Sequence, residues 1–260
     1  MTYMLSITNE KGGVAKTTTA LSLGAALVEA GKSVLLVDLD SQANLTLALG
    51  CDPLKAQHTI ISAAIDQIPL DQVWQETGIP NLYLVPANHE MSYAERILPS
   101  RPGYEHSLRQ VFSAIELPFD FVIFDCPPFL GAMVVNALTT SDMLLIPTQA
   151  EYFSIYALKN MMNLVRRIRA QSNPTLSYRI LLTLYDRRNR IHRTLSEQLR
   201  ASFGNGVLET IIMVDTRLRE SSIAGLPIIY HAPKCRSALQ YRELAQEMLQ
   251  YVEKTVAQPA

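Results

Sequence analysis

The sequence predicts an α/β protein: a mainly parallel, twisted sheet with helices on both faces. Three observations carry this expectation. Short, continuously apolar runs recur along the chain, stretches of helical length separate most of them, and key runs end on aspartate or open into a glycine-bearing loop. A strand that is apolar on both faces has to be covered on both faces, and parallel neighbours need crossover connections that helices supply.

In chain order, residues 3–8 (YMLSIT) read as a buried strand and 9–16 as a loop containing glycine. A helix is expected from Thr17 to Ala30. Leu21, Leu23, Ala25, Leu27 and Val28 give it a partial apolar face, and Gly31 is placed to stop it. Val34–Val37 is a second strand, running into Asp38 and Asp40. Further strands fall at 82–85 (LYLV), 121–124 (FVIF), 143–146 (MLLI) and 179–184 (RILLTL), with helices at 156–170 and 191–202. Residues 99–107 (PSRPGYEHS) are the most loop-like. No repeat, low-complexity segment or linker interrupts the pattern, so one domain over 1–260 is expected.

Composition removes several classes. Hydrophobic residues make up 48% and charged residues 18%, which excludes a disordered chain. No apolar run approaches the ~18 residues of a bilayer span. The N-terminus lacks a basic segment followed by an apolar stretch, so a cytoplasmic location is expected. Three widely spaced cysteines give neither a disulfide framework nor metal-ligand spacing, and the five histidines form no i,i+4 pair. Cys126 reads as a small buried hydrophobe rather than a cluster ligand. The formal net charge is −1, yet residues 161–240 hold 13 Lys and Arg against 5 Asp and Glu. That surplus suggests a face for a polyanion; arginines dispersed over solvated helices in ordinary ion pairs are the alternative.

The chemistry starts at Lys11-Gly12-Gly13-Val14-Ala15-Lys16-Thr17-Thr18, between a strand and a helix. Glycines let backbone N–H groups close on phosphate oxygens, and the helix N-terminus adds positive potential. Lys16 is placed to reach the β/γ-phosphates, the Thr17 hydroxyl to ligate Mg²⁺, and Thr18 to reach the α-phosphate. The segment departs from GxxxxGK[ST] twice, with Glu10 at the first glycine position and Ala15 at the second. Two aspartate motifs add to it. VDLD delivers Asp38 and Asp40 to the ligand edge of a parallel sheet, where a carboxylate can hold a Mg²⁺-bound water or the attacking water. FDFVIFDCPP sets four apolar residues before Asp125, the pattern of a Walker B aspartate.

Together these segments resemble the ParA/MinD group of deviant-Walker P-loop ATPases, most of all the small ParA (Soj-type) cargo-positioning proteins. The likeness covers nearly the whole chain. It rests on ITNEKGGVAKTTTALSLGAALVEAGKSVLLVDLDSQANLTLALG, on FDFVIFDCPPFLGAMVVNALTTSDMLLIPTQAEYFSIYAL, and on ILLTLYDRR, VDTRLRESS and GLPIIYHAPKCRSALQYRELAQEML. The resemblance implies ATP and Mg²⁺ as cofactors. It makes Lys11 the signature lysine that crosses an ATP-sandwich homodimer to the partner's phosphates. Asp40 matches the aspartate needed for hydrolysis, and Asp38 the one that supports Mg²⁺ through water.

The resemblance also implies that the ATP-bound dimer binds nucleoid DNA without sequence preference, and that a ParB-type adaptor on the cargo stimulates hydrolysis. Arg188 and Arg217 match DNA-contacting arginines of the family, with Arg219, Lys234 and Arg236 nearby. The chain differs from the family at Ala15 (usually Gly), at Ser41 and Ala43 (Pro and Gly), and at Met213 and Asp215 (Pro and Asn). A MinD-like division regulator, held at the membrane by a terminal amphipathic helix, is the other reading. Residues 241–252 place Tyr241, Leu244, Ala245, Met248, Leu249 and Val252 on one helical face. The polar side carries Glu243, Glu247 and Glu253 against Arg242 and Lys254, where an anionic membrane favours basic residues. A core-packing helix and no stable membrane association are therefore expected.

Overall fold

Each expected strand is present in the computed structural model, which describes residues 2–257. The strands are β1 (Tyr3–Ile7), β2 (Val34–Asp38), β3 (Gln75–Glu76), β4 (Leu82–Val85), β5 (Phe121–Asp125), β6 (Met143–Thr148), β7 (Ser177–Tyr185) and β8 (Val207–Met213). They form one sheet in the order β3-β4-β2-β5-β1-β6-β7-β8. Only β3 runs antiparallel to its neighbour. The register sets Asp125 of β5 opposite Asp38 on one side and Ile7 on the other.

The helices are α1 (Lys16–Glu29), α2 (Asn44–Ala48), α3 (Ile60–Ile65), α4 (Met91–Ile97), α5 (Ser107–Ser113), α6 (Ala132–Thr140), α7 (Tyr152–Gln171), α8 (Arg190–Phe203), α9 (Arg217–Ile223), α10 (Ile228–His231) and α11 (Arg236–Ala257). They divide between the two faces because side chains alternate along each strand. Leu35, Val37, Val122, Phe124, Leu144 and Ile146 join one core with residues of α3, α5, α6 and α7. Val34, Leu36, Phe121, Ile123, Met143 and Leu145 join the other, with α1 and α11. Fully buried strands of this kind show continuous apolar runs, which is why they were readable.

Helix boundaries moved outward in places. Helix α1 starts one residue before Thr17 and ends before Gly31, which takes φ +84 as the helix stops. Helix α7 begins at Tyr152 rather than 156. The loop-like segment 99–107 holds two short 3₁₀ turns before α5.

Strands β3 and β8 and the helices α2 to α6, α9 and α10 had no stated sequence expectation. Strand β8 is an edge strand whose VLETIIM pattern is broken by Glu209 and by register shifts against β7. Its outer edge is covered by side chains of α11. The Glu247 carboxylate accepts from the Glu209 and Thr210 N–H groups at 2.8 and 3.0 Å, and Gln240 Oε1 accepts from the Met213 N–H at 3.0 Å. An unpaired edge is thereby closed.

Helix α11 packs as a core helix. Tyr241, Leu244, Ala245 and Met248 are buried in the core shared with α1, and the Tyr241 hydroxyl lies 3.2 Å from Thr19 Oγ1. No helix among the described residues is long and apolar enough to cross a membrane. Deleting the Tyr241 ring leaves a cavity between α1 and α11, so Tyr241→Ala is expected to cost about 3–5 kcal/mol, read as a lower urea midpoint. A loss below about 1 kcal/mol would contradict this packing.

Candidate active site

The chain leaves β1 through buried Asn9, whose amide donates to the Pro147 carbonyl at 2.8 Å, while Asn9 Oδ1 accepts from the Lys11 N–H at 3.0 Å. The loop then turns through Gly13 (φ +73) and Ala15 (φ +67, ψ +36) into α1. Helix α1 has no side-chain cap and no acidic residue in its first turn. Its first N–H groups are thus left to a ligand.

They face a cavity of about 370 Å³ lined by Gly12, Gly13, Ala15, Lys16, Thr17 and Thr18. Leu21, Asp40, Asn44, Ala48, Pro128 and Ser222 complete the walls. Val14 is not a wall residue: it is buried, and its carbonyl accepts from Thr183 Oγ1 at 2.9 Å, which ties the loop to β7.

Lys16 is buried, with its ammonium 3.4 Å from the Lys11 carbonyl. Burial pulls its pKa below the ordinary lysine value, and Asp125 is the first of the charges opposing that shift. Behind it lie two fully buried carboxylates on adjacent strands. Asp38 is satisfied: Oδ1 accepts from the Asp40 N–H at 3.1 Å, and Oδ2 from the Thr46 N–H and hydroxyl at 3.0 and 2.8 Å. Burial nevertheless pushes its pKa up to about 6.

Asp125 is in the opposite condition. Neither of its buried carboxylate oxygens has a hydrogen-bond partner among the described residues. Burial, then the neighbouring Asp38, push its pKa well above the ordinary range, while Thr17 and Lys16 favour the charged form. An orphaned carboxylate beside a threonine hydroxyl, beneath a phosphate-sized cavity, fits a hard divalent cation. Of the three expected metal-site residues, Thr17 lines the cavity, Asp125 lies beneath it unpartnered, and Asp38 is held by protein donors. The last arrangement suits support through water rather than direct ligation. Asp40 lines the cavity and caps its own turn, accepting from the Gln42 N–H at 3.0 Å.

Lys11 does not point into its own cavity. Its ammonium donates to Glu151 Oε2 at 2.5 Å, Gln149 Oε1 at 2.9 Å and Ser154 Oγ at 3.2 Å. These partners had no sequence signal as site residues. Thr46, which holds Asp38, had none either, because a polar residue in a short helix looks like a solvent-facing one.

The five residues expected to face DNA are all exposed and sit on segments that follow β7 and β8. The Val214 N–H donates to the Tyr185 carbonyl, Arg236 donates to the Val214 carbonyl, and Ser237 Oγ donates to Asp215 Oδ2, so these segments adjoin. Arg188 is forked onto Asp186, Nε to Oδ1 at 3.1 Å and Nη2 to Oδ2 at 3.0 Å. An ion pair of the kind the alternative names is thus present at Arg188. Cys126 is buried beside Asp125, and no cluster of three or more His, Cys, Asp or Glu residues is arranged for a metal among the described residues.

The sheet order, the loop and the two strand-end aspartates define the class as a P-loop nucleoside triphosphatase. Comparison with known proteins narrows it. A family model described as an AAA domain matches residues 2–178. The sporulation initiation inhibitor protein Soj of Bacillus subtilis is 36% identical over 95% of this chain and 98% of its own length. The chromosome partitioning protein ParA of Caulobacter vibrioides is 34% identical over 95% and 93%. A cobyrinic acid a,c-diamide synthase from Mycobacterium smegmatis, solved with a bound ATP analogue and magnesium, superposes with a TM-score of 0.86 at 32% identity, covering 97% of this chain and 96% of that one. The chain belongs to the ParA/Soj family of partition ATPases.

The left-handed backbone at Ala15 has a measurable consequence. A Cβ there costs about 1–2 kcal/mol, offset in part by the ~0.5–1 kcal/mol of chain entropy that glycine loses on folding. Ala15→Gly is therefore expected to raise stability by about 0.5 kcal/mol. Ala20→Gly, inside α1, should lower it by about 1 kcal/mol. Thermal unfolding of the two variants checks the opposite signs; destabilisation by Ala15→Gly would remove the strain.

Proposed function

We propose that this chain is an ATP hydrolase that uses Mg²⁺, forms an ATP-dependent homodimer, binds nucleoid DNA without sequence preference and positions a cargo. The cargo is a plasmid, a chromosome or a protein assembly such as a carboxysome, and a ParB-type adaptor on it stimulates hydrolysis. The observation that carries this reading is the unpartnered, buried Asp125 carboxylate beneath a cavity walled by Lys16, Thr17 and free helix N–H groups.

In this reading the backbone from Gly12 to Thr18 binds and orients the phosphates, and Lys16 holds the β/γ oxygens. Thr17 and Asp125, with Asp38 through water, hold the Mg²⁺, which neutralises charge on the phosphates when bound. Asp40, on the cavity wall, orients the attacking water; ATP and water yield ADP and phosphate. Lys11 leaves Glu151 for the partner's nucleotide, so it serves the dimer more than its own site. The protein acts in the cytoplasm, on the nucleoid.

A second reading follows from the relative solved with an ATP analogue and magnesium, which is named a synthase. It keeps the ATP site and replaces DNA and adaptor by a small-molecule acceptor. The exposed Arg217, Arg219, Lys234 and Arg236 on adjoining segments favour the DNA reading.

Two lysines divide the nucleotide roles. Lys16→Ala is expected to abolish ATP binding measured by equilibrium titration. Lys11→Ala should keep ATP affinity and lose the ATP-dependent dimer measured by light scattering. Equal loss of ATP affinity in both would make Lys11 an ordinary loop residue.

The basic face is tested by Arg188→Ala combined with Arg217→Ala. DNA affinity should drop at least about tenfold, roughly 1.4 kcal/mol, with a shallower salt dependence and an intact dimer. Two patches on one dimer reinforce each other, so a modest change in each is amplified. Unchanged affinity for random-sequence DNA in gel shifts would return all these arginines to surface ion pairs.

A further inference from the structure

We propose that Glu95 is a positioning residue for hydrolysis, holding through α6 the loop that follows Asp125. The proposal rests on the ATPase reading above. Glu95 lies on α4, half-buried and outside the cavity. Its Oε2 accepts from the Ala132 N–H at 2.6 Å and its Oε1 from the Met133 N–H at 3.0 Å. These are the first two residues of α6, whose N-cap, Gly131, has no side chain to offer. A carboxylate there meets both the free N–H groups and the positive end of the helix.

The contact is shaped for this carboxylate. A Cβ on Gly131 would fall 2.3 Å from Glu95 Oε2 and 2.5 Å from the Phe129 ring, so only glycine admits the approach.

What the contact fixes is the far end of a short loop. The near end is Asp125, at the end of β5, followed by Cys126, whose N–H donates to the Ile7 carbonyl at 3.1 Å. Between Cys126 and Gly131 lie Pro127 and Pro128, which have no N–H to anchor, and Pro128 is a wall of the cavity. The exit from Asp125 itself is held by the Leu39 N–H on the Asp125 carbonyl at 2.9 Å, so release of α6 at Gly131 frees the stretch from Pro127 to Leu130, Pro128 included.

The same segment reaches the other carboxylate. Thr46 Oγ1 donates to Asp38 Oδ2 at 2.8 Å and accepts from the Ala87 N–H at 3.0 Å; a short turn, residues 88–90, joins Ala87 to α4. Residues 87–97 thus brace the Asp38 side through Thr46 and the Asp125 side through Glu95. Small displacements of reacting groups carry large rate penalties, while ground-state phosphate binding by the loop and Lys16 tolerates them.

The test uses the full chain and four variants: Glu95→Ala, Glu95→Gln, Gly131→Ala and the Glu95→Ala/Gly131→Ala pair. ATP affinity is measured by titration, phosphate release in single turnover, and stability by unfolding. Glu95→Ala should lower the hydrolysis rate about 10- to 100-fold with ATP affinity held within about threefold. Glu95→Gln, which keeps one acceptor for two donors, should fall between wild type and Glu95→Ala. Gly131→Ala should reproduce Glu95→Ala with the carboxylate still present, and the pair should be no slower than either single variant, because both break one contact.

An unchanged rate in folded Glu95→Ala, or ATP affinity falling in step with the rate, overturns the proposal. If Glu95→Ala does not fold, Glu95→Gln and Gly131→Ala decide on the same criteria. Wild-type protein that binds ATP but releases no phosphate removes the hydrolysis reading and this proposal with it; normal wild-type turnover beside unaffected variants removes this proposal alone.

Discussion

Two carboxylates buried side by side, at the ends of adjacent parallel strands, are the constraint around which this molecule is organised. Desolvation opposes the ionisation of both, and a neighbouring carboxylate adds to it, Asp40 at Asp38 and Asp38 at Asp125. The fold answers each charge differently. Asp38 receives three hydrogen bonds, two of them from a single residue, Thr46. Asp125 receives none among the described residues. A protein that leaves one buried carboxylate without partners, next to a buried lysine and a threonine hydroxyl, is built to accept positive charge there. Under the proposed reading that charge arrives with the nucleotide.

The sheet makes the juxtaposition possible. In a parallel sheet all carboxyl ends lie along one edge, and the loops that leave it converge where neighbouring strands send their connections to opposite faces. Here β1 sits between β5 and β6, and β5 between β2 and β1. The phosphate loop therefore lies beside the exits of β2 and β5, and Lys11 lies within reach of the β6–α7 connection. Alternating side chains hold that edge rigid by sending one set of residues to each of two cores. A loop carrying chemistry gains precision from such a base.

Strain accumulates at the same edge. Ala15 and Ala43 both occupy the left-handed region, at the N-termini of α1 and α2; Ala15 is a wall of the cavity and Ala43 adjoins another, Asn44. Both positions carry a Cβ in a backbone region that favours glycine, and the surrounding contacts keep the backbone in place: the Ala43 N–H donates to the Asp40 carbonyl at 2.9 Å. Backbone conformations of this kind persist where packing over-determines them. The clamp of Lys11 on Glu151, Gln149 and Ser154 has a related character. It satisfies an ammonium locally, and a competing phosphate must better three contacts to draw the lysine away.

Much of this was legible in the chain itself. Six strands are short, mostly apolar runs, because strands covered on both faces have no polar side to blur the pattern; the sequence also marked the phosphate loop, Asp38, Asp40 and Asp125 by their places at strand ends. Strand β8 escaped because an edge strand interrupted by Glu209 and shifted against its neighbour lacks that pattern, and its outer edge is completed by Glu247 and Gln240 from a helix far along the chain. Thr46, Glu151 and Glu95 escaped for the same kind of reason. Each acts on a partner that is distant in sequence or reached only through a turn of the backbone, and a single polar residue carries no periodicity. Local sequence determined the strands, the loop and the acidic ends, since these depend on propensity and burial along a few consecutive residues. Which carboxylate is satisfied, which is left bare, and where Lys11 rests were decided only by tertiary structure, because hydrogen bonds form between whatever groups the packed sheet brings within about 3 Å.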